Sequence, residues 1–195
     1  MKDNKPSSYR LSPPQVLIDD IVDLELSFID FQCTEKSGTI QVNQYIADDV
    51  VDVFKLMIEI GFPIHMMQPV SEFDFSDDKS MIANNSSGFN FRTVALDPSR
   101  ISNHSYGLAI DINPVHNPYI KGEVTLPPTA NYDIDTPGTL HADHPVVVFM
   151  KEQGFVWGGD WDKPYRDYQH FHKELPAELE EKYREEIQNV LSELK

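Results

Sequence analysis

The sequence has only one cysteine, Cys33, among its 195 residues. A single thiol excludes an intrachain disulfide, and it excludes a zinc site that takes two or more thiolates from this chain. A lone cysteine is usually buried as a small apolar side chain. A metal site in this protein would therefore depend on histidine and carboxylate ligands.

Positive charge is also scarce. Lysine and arginine number 16 against 32 aspartates and glutamates, which gives a formal net charge of −16. Proteins that bind nucleic acid concentrate basic residues against the phosphates, and anionic membrane surfaces attract the same residues. The composition therefore predicts no nucleic acid partner and a self-repelling, water-exposed surface.

Long hydrophobic runs are missing as well. No stretch approaches the roughly 20 apolar residues that cross a membrane, so we expect no stable membrane insertion. The first residues, MKDNKPSSYRLSPP, lack the apolar segment of a signal peptide. The localisation stays open: a leader that has been removed would place the protein in the cell envelope or outside the cell, and otherwise it would be cytoplasmic.

The length fits one domain of ordinary size. We expect a flexible arm over residues 1–14 and a single domain over residues 15–195. Residues 22–28 alternate apolar and acidic or polar side chains, which predicts a half-buried strand, and Ile40 and Val42 predict a partner strand.

Three segments have helical spacing. The first runs from Asp48 to Gly61 with an apolar stripe, the second from a cap at Asp143 to Gly154, and the third over residues 179–194. Residues 113–140 contain five prolines and predict a long irregular loop, which we expect to shape a binding pocket. Because helices and strands do not alternate regularly, the fold class predicted is α+β with a small antiparallel sheet.

The stretch SNHSYGLAID brings His104 and Asp111 together around Gly107. Zinc in a catalytic site takes three protein ligands, and these two residues could supply two of them from one bend of the chain. Asp167 and His170, three residues apart, would share a face of a turn or short helix and could supply the third ligand and a general base. Each signal alone is weak.

The combination is more specific. Ser102-x-His104-x-x-Gly107-x-Ala109-x-Asp111, followed by Trp157-Gly158-Gly159-x-Trp161 and Asp167-x-x-His170-Phe171, resembles the zinc D-alanyl-D-alanine carboxypeptidase and dipeptidase family, which includes the L-alanyl-D-glutamate endolysins. The resemblance covers about residues 80–172. It implies the zinc fold shared with hedgehog signalling domains, with helices flanking the small sheet, and it makes residues 15–195 a zinc peptidase domain.

The resemblance also implies roles. His104, Asp111 and His170 match the zinc ligands, Asp167 matches the catalytic carboxylate, and Arg92 matches the arginine that polarises the scissile carbonyl. Ser102, Trp157 and Trp161 are expected to contact the substrate. His172 departs from the family pattern, because many relatives carry an acidic residue there.

The expected function is therefore zinc-dependent hydrolysis of peptidoglycan stem peptides, as a D-alanyl-D-alanine carboxypeptidase. Three alternatives remain at this point. One is an L-alanyl-D-glutamate endopeptidase, and another is a binding module that keeps zinc without catalysis. The last is an iron oxygenase, since two histidines and a carboxylate also form the facial triad of those enzymes.

Overall fold

The computed structural model describes Ser8 and residues 10–193. In that part of the chain the α-helices are α1 (Gln15–Ile18), α2 (Ala47–Glu59), α3 (Asp77–Ile82), α4 (Pro145–Glu152) and α5 (Ala177–Glu193). The strands are β1 (Ile21–Ile29), β2 (Glu35–Asn43), β3 (Met66–Met67), β4 (Asn85–Ser86), β5 (Thr93–Val94), β6 (Asp97–Ile101), β7 (Ala109–Asp111), β8 (Tyr119–Lys121), β9 (Val124–Leu126), β10 (Val156–Trp157), β11 (Tyr165–Asp167) and β12 (His170–His172).

These strands form several small sheets instead of one. The sheets have the orders β1-β2, β10-β12-β7, β11-β8-β9 and β5-β6, all antiparallel, and β3-β4 is a parallel pair. The α+β prediction is confirmed, with the single predicted sheet replaced by a set of short ones. The likeness to the hedgehog zinc fold stays a prediction.

The β1–β2 hairpin follows from its alternating pattern. Leu24 pairs with Ile40 and Val22 with Val42 across the two strands, so one face of the hairpin is apolar. Ile40 and Val42 are fully buried. Cys33, in the turn that joins the strands, is exposed, and the expectation that it is buried is wrong because the turn points away from the core.

Helix α2 covers the apolar face of this hairpin. Of its predicted stripe, Val50, Val53, Phe54 and Met57 are buried, whereas Ile60, at the end of the helix, is exposed. The helix packs against β1 and α4. Each such side chain contributes roughly 1.5–3 kcal/mol when it is fully buried. This cluster is the main core, and it extends to Ile110 and Phe171 on the strands that carry the candidate site.

Helix α4 begins one residue later than predicted. Pro145 occupies the first helical position, where its fixed φ and missing N–H are tolerated, so the residue before it becomes the cap. The His144 ring accepts a hydrogen bond from the Val146 N–H at 3.2 Å. His144, not Asp143, therefore caps this helix.

A second, smaller core lies beneath the C-terminal helix. Leu17, Phe91, Tyr183 and Ile187 are buried there. Helix α5 confirms the helical spacing predicted for residues 179–194, of which residue 194 lies outside the described residues.

Two described residues of the N-terminal segment, Arg10 and Leu11, contact the rest of the domain. Residues 1–7 and 9 of the predicted arm lie outside the described residues. Leu11 donates its N–H to the Phe91 carbonyl at 2.9 Å, and the Arg10 guanidinium lies 3.6 Å from the Phe75 ring centroid.

Within residues 10–193, none of the helices combines the length and apolar character needed to cross a membrane.

The predicted long loop contains a hairpin. Strands β8 and β9 form within residues 113–140, and β8 pairs with β11 far along the chain. The prediction of irregular structure is wrong for these six residues, because their pairing partner is not local and the prolines around them hide the strand pattern. The hairpin forms one wall of the cavity described next.

Candidate metal centre

The SNHSYGLAID stretch forms a short 3₁₀-helix, Asn103–Tyr106, that ends at Gly107. The Ser102 hydroxyl accepts the His104 N–H at 3.3 Å and caps this turn. Gly107 has a φ of +66°, and a Cβ there would lie 2.6 Å from the Asn43 backbone nitrogen. Only glycine fits this bend, which directs His104 inward and the chain into β7.

The other two candidate ligands face each other on neighbouring strands. His170 on β12 is the register partner of Asp111 on β7. Side chains on directly opposed residues of an antiparallel pair lie close together on one face of the sheet. Antiparallel pairing therefore brings together two residues that are 59 positions apart in the sequence.

Three donor atoms converge at this place. His104 Nε2 lies 3.1 Å from Asp111 Oδ2 and 3.1 Å from His170 Nδ1, and His170 Nδ1 lies 3.1 Å from Asp111 Oδ1. All three residues are buried. Ligand atoms around a tetrahedral zinc ion are separated by about 3.3 Å, which follows from zinc–ligand distances near 2.0–2.1 Å. The donor set and its spacing fit zinc.

The protonation states also suit a metal. His104 Nδ1 lies 2.6 Å from the Gly88 carbonyl, which can only accept, so the proton is on Nδ1 and Nε2 is free. Burial lowers the pKa of His170, against the opposing effect of Asp111, and favours the neutral ring. Burial alone would raise the pKa of Asp111, but His104 and His170 hold it well below its usual range. Neutral imidazoles and an ionised carboxylate are the forms that bind metal.

Asp167 is the last residue of β11, three positions before β12 begins at His170. The two residues between Asp167 and His170 form a turn that joins β11 to β12, which is one of the two forms predicted for this segment, a turn or a short helix. Gly158 packs against it so closely that a Cβ would lie 2.8 Å from Asp167 Cβ. Asp167 Oδ1 is buried and has no hydrogen-bond partner among the residues that the structure describes. Burial, and then the negative charge of Asp111, raise the pKa of Asp167 well above its usual value.

Arg92 is buried and paired. Its Nε lies 2.9 Å from Asp77 Oδ1, and its Nη1 donates to the Thr93 carbonyl at 3.1 Å. Its backbone is held by Ser105, whose hydroxyl accepts the Arg92 N–H at 3.0 Å. The salt bridge between Arg92 and Asp77 is therefore buried.

The candidate ligands share one cavity of about 660 Å³ with the residues proposed for catalysis. Its walls include the three candidate ligands, Asp167 and Arg92, and also Ser102 and Trp161. The Trp161 ring lies 5.5 Å from the His170 ring. The volume falls in the range usual for small-ligand sites.

Trp157 does not line this cavity. It is 2% exposed, belongs to the main core, and donates its indole N–H to the Tyr168 carbonyl at 3.0 Å. The prediction that Trp157 contacts substrate is therefore wrong. The indole packs behind the Gly158–Asp160 turn, where it supports Phe171 instead of facing the ligand.

Comparison with known proteins bears on this site. Residues 97–173 match the family model described as D-alanyl-D-alanine carboxypeptidase. This segment is similar to that peptidase family. The resemblance expected from the sequence is confirmed over less than half of the chain. No solved structure matches the chain.

The matched segment contains His104, Asp111, Asp167 and His170. Arg92 lies before it, so the assignment of Arg92 rests on its position in the cavity. The match indicates a metallopeptidase, in agreement with the zinc-compatible donor set.

Several residues of this site could not be predicted from the sequence. Asp77, Gln169 and Tyr119 line the cavity, and all are buried. Asp77 Oδ2 and Gln169 Oε1 have no hydrogen-bond partner within the described residues. Burial, and then the charge of Asp167, raise the pKa of Tyr119 to about 12. The one signal for Asp77 was an acidic pair at a helix start, which is a common surface feature.

His172, which departs from the family pattern, also lines the cavity. Its ring lies 5.1 Å from the His170 ring, and its Nε2 lies 3.6 Å from Glu174. Burial, and then His170, lower the pKa of His172 to about 4. The remaining histidines lie outside the cavity lining, as expected: His65, His116, His141 and His144.

Proposed function

We propose that this protein is a zinc-dependent peptidase that hydrolyses peptidoglycan stem peptides and releases a terminal D-alanine. The observation that carries the proposal is one cavity in which a three-ligand, zinc-compatible cluster lies with a buried carboxyl, Asp167, and a guanidinium, Arg92. The family match of residues 97–173 supports the same reaction class.

His104, Asp111 and His170 would hold the zinc ion. A bound zinc ion supplies a Lewis acid that lowers the pKa of water to about 7 and polarises a carbonyl group. His104 is fixed for this role by its hydrogen bond to the Gly88 carbonyl, and His170 by its place opposite Asp111.

Asp167 is the general base and then the general acid. Its carboxylate takes the proton of the attacking water, and the same proton passes to the leaving amine when the peptide bond breaks. A carboxyl whose pKa is raised by burial suits this two-way transfer near neutral pH. Its buried Oδ1, which has no partner in the described part of the chain, is the acceptor that this step requires.

Arg92 stabilises the negative charge that develops on the carbonyl oxygen. Its Nε is ion-paired with Asp77 Oδ1 at 2.9 Å and its Nη1 donates to the Thr93 carbonyl, so we assign Nη2 to the substrate. Donors of this kind, fixed before the reaction, are typically worth about 2.7–4 kcal/mol of transition-state stabilisation.

Digestion of a defined pentapeptide stem that ends in D-Ala-D-Ala tests the proposal, with mass spectrometry as the readout. The protein is assayed after zinc loading, after chelation, and after zinc is restored. Loss of one D-alanine that the chelator abolishes and zinc restores is the expected result.

Other outcomes are informative. Cleavage between L-Ala and D-Glu would make the protein an endopeptidase with the same metal centre. No cleavage by protein that holds one zinc ion per chain would contradict catalysis and favour a binding module. Turnover that needs iron and oxygen would instead identify an oxygenase.

A further inference from the structure

Two basic residues on the cavity wall have no role in the chemistry above. Lys121 on β8 and Arg100 on β6 line the same cavity as the candidate ligands. Neither forms a salt bridge with any residue of the described part of the chain. Free cations are unexpected at this site, because acidic residues outnumber basic ones 32 to 16 in the protein.

The carboxylate near these cations is already engaged. Asp97 accepts hydrogen bonds from the Ser99 hydroxyl at 2.6 Å and from the Ser99 N–H at 3.2 Å. These bonds, followed by the charges of Arg100 and Lys121, lower the pKa of Asp97. The cations thus lie close to Asp97 without pairing directly with it, so they remain able to bind a ligand.

The position of Lys121 relative to Asp167 is fixed by strand register. Tyr119 of β8 pairs with Asp167 of β11, and Lys121 pairs with Tyr165. Residues two apart on a strand share a face, so all four side chains lie on the same side of this sheet, and all four line the cavity. Lys121 is therefore displaced from Asp167 by two residues, about 7 Å along the strand.

The Lys121 amine is directed over an aromatic ring. Its Nζ lies 5.3 Å from the centroid of Tyr165, which is 42% exposed. A ring at this distance holds an ammonium group weakly and leaves its hydrogens free for an anion. The arrangement presents a positioned cation on the wall of the cavity.

We propose that Lys121, assisted by Arg100, binds a free α-carboxylate on the residue that leaves after hydrolysis. This inference rests on the proposed function. Asp167 delivers its proton to the leaving nitrogen, so the residue attached to that nitrogen lies beside Asp167 and continues toward Lys121. Its α-carboxylate carbon lies within about 4 Å of the attacked carbonyl carbon, by standard backbone bond lengths.

Two bonds in a stem peptide have this chemistry on the leaving side. A terminal D-alanine carries an α-carboxylate, and so does a D-glutamate that is linked through its γ-carboxyl. Lys121 would recognise either one. It would reject a leaving residue whose α-carboxyl is amidated or extended by another residue.

The test compares matched peptides that differ in this one group. One pair is a stem pentapeptide with a free or an amidated C-terminus, and the other is L-Ala-γ-D-Glu-Lys with a free or an amidated glutamate α-carboxyl. The value of kcat/KM is measured for the zinc-loaded wild type, Lys121→Met, Lys121→Arg and Arg100→Met. Lys55→Met is the matched control, because Lys55 is exposed on α2 and does not line the cavity.

The wild type should prefer the free acid of the pair that it cleaves. A hydrogen bond to a charged group is worth about 1.5–3 kcal/mol, so Lys121→Met should lower kcat/KM for the acid by about tenfold or more. The value of kcat/KM for the amide should not change, so this variant should lose the preference for the acid over the amide. Lys121→Arg should keep most of the preference, Arg100→Met should lose part of it, and Lys55→Met should match the wild type.

Equal cleavage of acid and amide by the wild type, or a preference that survives in Lys121→Met, would overturn the inference and leave the proposed function standing. Cleavage of none of the peptides would overturn the proposed function instead. In that case the acid and the amide of each pair are titrated calorimetrically into the zinc-loaded Asp167→Asn variant, and this measurement decides the inference. Acid-selective binding that Lys121→Met abolishes supports it, and equal binding of acid and amide refutes it.

Discussion

Asp167 is the side chain on which the proposed chemistry depends most. Gly158 packs closely against it, and burial followed by the Asp111 charge raises its pKa. Its Oδ1 has no partner in the described part of the protein. An ionisable group buried without a full set of partners is costly for a fold, and such groups concentrate at functional sites.

Asp167→Asn should lower kcat by at least about 10²–10⁴-fold, the usual contribution of a general acid–base group. Zinc content should be unchanged, because Asp167 is not one of the three converging ligands. Steady-state kinetics and elemental analysis check both statements. Asp135→Asn is the control, since Asp135 is exposed and outside the cavity lining. Activity retained in Asp167→Asn would refute the assigned role.

Asp77→Asn tests whether the buried ion pair positions Arg92. The change removes the charge that faces Arg92 Nε at 2.9 Å and leaves the guanidinium buried without its partner. Loss of one member of a buried pair typically costs about 3–5 kcal/mol of stability. We expect a lower melting temperature and a lower kcat with zinc retained. Kinetics that match the wild type would show that Arg92 does not need this pairing.

The sequence alone predicts the role of residues that form a recognisable pattern at short spacing. His104, Gly107 and Asp111 form a compact pattern, and the His170 motif completes it. Asp77 could not be found, because its partner Arg92 is 15 positions away and an acidic helix start carries no sign of burial. Trp157 was misplaced for a related reason: spacing does not tell which indole of a Trp-Gly-Gly-Asp-Trp segment faces the core.

The bend that carries His104 is the structural element most sensitive to substitution. Gly107 contacts Asn43 at the end of β2, which donates its N–H to the Gly107 carbonyl at 2.8 Å. The Asn43 side chain in turn donates to the Tyr106 carbonyl at 3.2 Å and to the Tyr183 hydroxyl at 2.9 Å. The hairpin, the bend and α5 are thereby joined next to a metal ligand.

Gly107→Ala should destabilise the protein and weaken zinc binding together. Gly122→Ala is the matched control, because Gly122 has a similar φ of +61° but a Cβ added there would meet nothing within 4 Å. Gly122→Ala should cost only the left-handed backbone strain, about 1–2 kcal/mol. Thermal melts and zinc titration separate the two effects. Equal losses in both variants would show that the contact with Asn43 is unimportant.

The β8–β9 hairpin shows which elements local pattern reasoning misses. Its strands have three residues each, and β8 gains its second partner from β11, more than 40 positions later. Period-two alternation needs four or more residues to be recognisable. The sequence correctly predicted that this region shapes the pocket, but the way it does so depends on pairing that is not local.

At the scale of the whole molecule, a buried carboxylate connects the region just before β1 with the C-terminal helix α5. Asp20, beside β1, accepts hydrogen bonds from Lys182 and Tyr183 of α5 and from the Gln44 side chain. Burial opposes ionisation of Asp20, but these donors together lower its pKa below the ordinary value of 3.8. The charged form is therefore more stable in the folded state than in the unfolded state.

The stability that Asp20 contributes should depend on pH in a defined direction. A depressed folded-state pKa gives stability that is complete above the unfolded value near 3.8 and is lost as the pH falls through the folded value. Asp20→Asn should therefore lower the melting temperature at pH 7, and the difference should shrink below about pH 4. Asp19→Asn, at an exposed neighbouring position, is the control. A difference that grows in acid would contradict this account.

The most direct test of the central claim is the metal content and coordination of the zinc-reconstituted protein, measured by elemental analysis and zinc-edge X-ray absorption. We predict one zinc ion per chain, bound by two imidazole nitrogens and a carboxylate oxygen at about 2.0–2.2 Å. Replacement of His104 or His170 by alanine should abolish stoichiometric binding, whereas His116→Ala should retain it. Failure of the wild type to hold zinc, or zinc held equally well without His104 and His170, would contradict the account.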